Sequence, residues 1–147
     1  MSIKRITPMA QIEDYLQKQI DLKIKSIINT MKYIGQTCVT QAKENPGYMD
    51  QTGNLRSSIG YVVVYDGSIV SGGEFEKIIN GDDGVRSGEA LIQKLVSENP
   101  KGIVLIVVAG MNYAAYVETN LNVISSAELL AESMVPQMLR QLGFKIS

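Results

Sequence analysis

Apolar residues recur at Ile12, Leu16, Ile20, Ile24, Ile27, Met31, Ile34 and Cys38, three or four positions apart, with polar residues filling most of the gaps. That spacing is one stripe of an amphipathic helix. Thr7-Pro8 supplies a start, a hydroxyl N-cap followed by proline at the first helical position, and Asn45-Pro46-Gly47 supplies an end. Asp14 with Lys18, and Asp21 with Lys25, are acid-first pairs four residues apart on the polar side. The pattern predicts a helix over 8–45. A helix this long must lie across a sheet, bend at Gly35, or reach a neighbour.

The pattern then changes. Leu55 to Tyr65 is rich in Val, Ile, Tyr and Ser, and Asp66-Gly67 is a two-residue turn signal, so a β-hairpin is expected, returning through Ser68–Ser71. Gly72-Gly73 allows a bulge or break. Asn80-Gly81-Asp82-Asp83-Gly84 reads as a polar loop, and Ser87-Gly88-Glu89 as the cap of a short helix through Val96. Ile103 to Ala109 is seven apolar residues, mostly β-branched, between glycines: a central strand buried on both faces. Ser125 to Glu128 fits a capping box for a last helix with a stripe at Leu130, Met134, Met138 and Leu142. Gly143 can end that helix, and Pro136 should kink or split it. The expected order is α-β-β-α-β-α. The fold class is α+β, a long N-terminal and a C-terminal helix packed on a small, mostly antiparallel sheet. We expect a single domain over 1–147, with the long helix at 8–45, the hairpin, insert and central strand at 54–109, and the C-terminal helix at 125–142.

Composition narrows the function more than the fold. The 147 residues suit one domain with its own core, and 45% hydrophobic with 20% charged residues is ordinary for a globular protein. The net charge of -1 lacks the basic excess of a protein that grips DNA through phosphates. Lys4, Arg5, Lys18, Lys23, Lys25 and Lys32 lean basic, but Glu13, Asp14 and Asp21 lie among them, as on a solvated helix face. The single cysteine, Cys38, sits on the apolar stripe and reads as a buried thiol. No signal peptide is visible, and Ile103–Ala109 is too short to span a bilayer. The expectation is a protein made and used in the cytoplasm, or assembled there into something larger.

The chain has no histidine, which removes the commonest general base and zinc ligand. There is no phosphate-cradling glycine loop. Gly81-Asp82-Asp83-Gly84 lacks the alternating carboxylates of a calcium loop and reads as a turn. Ser57 and Ser58 read as exposed strand hydroxyls. No catalytic residue, cofactor or metal is expected, and the chain is not expected to be an enzyme.

Two segments carry a family resemblance. Gln51-Thr52-Gly53-Asn54-Leu55-Arg56-Ser57-Ser58-Ile59 resembles the Thr-Gly-x-Leu-x-x-Ser-Ile motif that follows a long N-terminal helix in the minor tail or tail-completion (head-tail joining, neck) proteins of long-tailed bacteriophages. Val108-Ala109-Gly110-Met111-Asn112-Tyr113-Ala114-Ala115-Tyr116-Val117-Glu118 is similar to the family's second motif, a strand ending in Gly and then Tyr-Ala-x-x-Val-Glu, about fifty residues later. The order of motifs matches too. There are departures: Thr119-Asn120-Leu121 follows Glu118 where the family often has Gly-Thr and a Pro-Phe-Leu segment, and 74–100 carries a helix of its own.

The resemblance implies a virion structural protein, forming a homo-oligomeric ring, often sixfold, at the head-tail junction. Its partners would be connector and tail-tube proteins, with no membrane, and with DNA contact only through the ring lumen. Other tail or connector adaptors of the same particle, and an unrelated small-molecule-binding or enzymatic domain, are the alternatives. Candidate motif and interface residues are Thr52, Gly53, Leu55, Arg56, Ile59, Tyr113, Tyr116 and Glu118. As a strand, Leu55 and Ile59 share one face and Arg56 points outward. As a short helical turn, Tyr113, Tyr116 and Val117 share a face, for the core, a partner, or both.

Overall fold

A computed structural model describes residues 8–44, 54–76, 81–110, 113–119 and 126–144. Helix α1 runs unbroken over Met9–Lys43. Pro8 takes the N-cap position rather than the first helical position, so the helix begins one residue later than expected, and its carbonyl accepts from the amides of Gln11 and Ile12 at 3.0 and 3.3 Å. Thr7 and Asn45-Pro46-Gly47 lie outside the described residues. Gly35 does not interrupt the helix. A Cβ there would stand 2.7 Å from Tyr61 Cδ2 and 2.9 Å from Leu105 Cδ1, so glycine lets α1 come down onto the sheet.

Four strands, β1 (Gly60–Tyr65), β2 (Ser68–Gly72), β3 (Ile103–Ala109) and β4 (Tyr113–Thr119), form one sheet in the order β2-β1-β3-β4, each pair antiparallel. The β1–β2 turn is the expected one. Asp66 and Gly67 both take positive φ (47° and 83°), the two-residue turn whose twist matches its strands. The irregularity in β2 comes earlier than Gly72-Gly73. Val63 pairs with Ser71 and Val64 with Ile69, so Val70 is the extra residue.

Strand β3 is buried along its whole length, as its composition predicts. Leu105 and Val107 join Val63 against α1 (Ile27, Met31, Ile34, Cys38) and α4, which spans Ala127–Gln141. Val104, Ile106 and Val108 join Val62 and Val64 on the opposite face, against Ile92 and Leu95 of helix α3, Asp82–Ser97. The α+β class therefore holds, with helices on both faces of an antiparallel sheet.

The expected order α-β-β-α-β-α runs through the chain with two additions and shifted ends. Asn54–Ser57 is a helical turn, α2, where the start of a strand was expected, and β1 begins at Gly60. Tyr113–Thr119 is a strand, not a helical turn; it supplies β3 with its second partner, which a strand buried on both faces needs for its amides and carbonyls. Asp82 and Asp83 lie in the first turn of α3 rather than in a loop, where carboxylates favour the positive end of the helix dipole. Helix α4 is capped by Ser126, whose hydroxyl accepts from Leu129 N–H at 3.2 Å; Ser125 lies outside the described residues. Pro136 does not split α4. Gly143, at φ 91°, donates to the Arg140 carbonyl, and Phe144 N–H reaches the Leu139 carbonyl, closing the helix end as predicted.

Candidate functional site

The two motif segments meet at one end of the sheet. Ser58 Oγ accepts from the Gly110 amide at 2.7 Å, across 52 residues of sequence. Two residues on from Ser58, Gly60 pairs with Val108. Ser57 and Ser58 are buried, not exposed strand hydroxyls. Ile59 is fully buried among the residues packed by α1 and α4. Arg56 is half-buried within α2 and does not point out from a strand. Leu55 belongs to α2 by its backbone, and Thr52 and Gly53 lie outside the described residues.

In the second motif, β4 separates residues that a helical turn would have grouped. Tyr116, opposite Ile106, and Val117, opposite Leu105, fall on opposite faces of the sheet. Val117 packs on the α1/α4 core. Tyr116 stays 42% exposed, so it is a surface residue with one packed side. Partial burial raises its phenol pKa, and the Glu98 carboxylate raises it further. Tyr113 opens β4, and Glu118 is exposed opposite Val104.

Sequence reasoning missed a wedge beside this junction. A Cβ on either Gly60 or Gly88 would collide with the ring of Phe75, so Phe75 is held between β1 and α3. The available signal was a glycine inside each of two otherwise regular patterns. Burial pushes the Cys38 thiol up to about 12, which fits an inert core cysteine. Among the described residues, no group of three or more His, Cys, Asp or Glu gathers to hold a metal ion, and no helix is long and apolar enough to cross a membrane.

Among the described residues, open depressions occur at two places. One, of about 480 Å³, runs between α1 and α4, over Tyr33, Thr37 and Gln41 on one wall and Glu128, Glu132 and Pro136 on the other, with Ala131 and Val135 in its floor. The second, of about 380 Å³, lies on α3 beside Arg86 and Lys94. Neither gathers the convergent polar groups of a chemical site.

Among the described residues, a long run of exposed apolar side chains lies on α1. Burial begins at Ile24 and Ile27, yet the helix starts at Met9. From Pro8 to Lys23 every residue is exposed except Ile12, which is half-buried. Met9, Tyr15, Leu16, Ile20 and Leu22 are 41–62% exposed. A 35-residue helix is about 52 Å long. The seven residues of β3 span about 24 Å, so the sheet cannot cover it. No known family model, curated protein or solved structure matches the chain.

Proposed function

We propose that this protein is a structural subunit of a long-tailed phage particle, acting in the neck or tail-completion ring that joins head to tail. The observation that carries the reading is the pair of motifs in the family's order, Thr52 to Ile59 and Val108 to Glu118, behind a long helix. The direct contact of the two segments, through Ser58 and Gly110, supports treating them as one structural unit. The exposed apolar stretch of α1 suits work done by subunit contact. Assembly in the host cytoplasm and residence in the virion follow from the same reading.

The departures after Glu118 favour a second reading, a tail or connector adaptor elsewhere in the same particle. Electron microscopy of particles made without this gene separates the two. The neck reading expects full heads and free tails that fail to join, rescued by the gene in trans. Joined particles with a defect elsewhere would move the protein to another position.

A further inference from the structure

The geometry points to one use for the exposed half of α1: it docks in the α1/α4 groove of a second copy of this chain. The proposal rests on the ring reading for its purpose, but self-association in solution tests the contact independently.

The exposed stripe continues the core stripe, since Leu16 and Ile20 precede Ile24 and Ile27 at the same helical spacing. Because α1 is one uninterrupted helix, its first half cannot fold back into a groove walled by its own second half. A separate copy can supply that groove. A helix laid between α1 and α4 would sit on Ala131 and Val135 and complete a three-helix layer.

Charge selects the orientation. Helical spacing puts Tyr15, Gln19 and Lys23 along one flank of the stripe, and Glu13, Gln17, Asp21 and, at its end, Lys25 along the other. The hydrogen bond from Gln17 Nε2 to Asp21 Oδ1, at 2.9 Å, shows that second row in place. The groove is asymmetric in the complementary way. Its α4 wall carries Glu128 and Glu132, and its α1 wall is uncharged. The Lys23 flank, which holds no carboxylate, therefore fits against α4, with the Glu13 and Asp21 flank turned to the neutral wall. The stripe and the groove are different surfaces of one chain, so the contact is head-to-tail. Such a contact closes into a ring when its rotation allows.

The test is the mass of the purified full chain across a concentration series. The native chain should self-associate. Leu16→Asp with Ile20→Asp should weaken association roughly thirtyfold or more, as expected for central apolar anchors. Circular dichroism and thermal unfolding of this variant should stay native-like, because neither residue is in the core. Lys23→Glu, and separately Glu128→Lys with Glu132→Lys, should each weaken association about tenfold, and the combined variant should recover it. Mixing the stripe variant with the groove variant should give one-to-one pairs and nothing larger, because each retains one intact surface. A native chain that stays monomeric at its highest soluble concentration overturns the proposal. So does association indifferent to Leu16 and Ile20, or a combined charge variant without recovery. If the contact survives these tests while heads and tails join normally without the gene, the neck reading fails and the contact stands.

Discussion

Ser58 is the residue on which the two motifs close. Its hydroxyl is buried and receives the Gly110 amide at 2.7 Å, at the exit of the central strand. Ser58→Ala leaves that amide without this acceptor, at a cost of about 1–3 kcal/mol. Urea unfolding should show a lower midpoint with an unchanged slope; an unchanged midpoint would mean the bond does not matter to the fold. Cys38 permits a second prediction at this scale. Its thiol rises from the ordinary 9.0 to about 12 in the folded chain because it is buried. Between those values the unfolded chain has lost a proton that the folded chain keeps. The contribution is thus complete below about pH 9 and is lost as pH rises toward 12. A folded sample at pH 9.0 should resist alkylation by iodoacetamide and react only when denatured. Rapid labelling of the folded protein would remove Cys38 from the core.

Elements were legible where one periodic signal ran long enough to outweigh local ambiguity. The α1 stripe, the β-branched run of β3 and the Asp66-Gly67 turn each carry their conformation in local chemistry, and each is present. The misread segments depend on partners far along the chain. Leu55–Ser58 has strand-like composition, but α2 turns the chain so that Ser58 meets Gly110. Tyr113–Thr119 is short and Ala-rich, with no strong period; it is a strand because β3 offers it a row of amides and carbonyls. Asp82-Asp83-Gly84 has the polarity of a loop, yet the carboxylates suit the first turn of α3. The candidate site was legible only as motif positions. The strand parity used for Arg56 and the helical turn used to group Tyr113, Tyr116 and Val117 each rested on the wrong element type. The α1/α4 groove, built from residues about a hundred positions apart, had no local signature.

At the scale of the whole molecule, the mismatch between helix and sheet divides α1 into two regimes. From Ile27 to Ala42 its stripe is part of the core, and opening its backbone requires breaking the packing with β3 and α4. Before Ile24 the helix has little tertiary support, and an isolated helix of about 15 residues is marginal in water. Hydrogen exchange should therefore be graded along a single helix. In dilute monomer, amides near Leu16 should exchange by local fraying, far faster than those near Ile34, whose exchange should approach the rate set by global unfolding. Raising the concentration until copies associate should slow exchange in the first half and leave the second half almost unchanged. Thermal stability of the domain should meanwhile rise little, because the added contact orders a segment outside the core. Uniform protection along α1 in the monomer would show that its exposed half is stable alone, leaving a partner nothing to order.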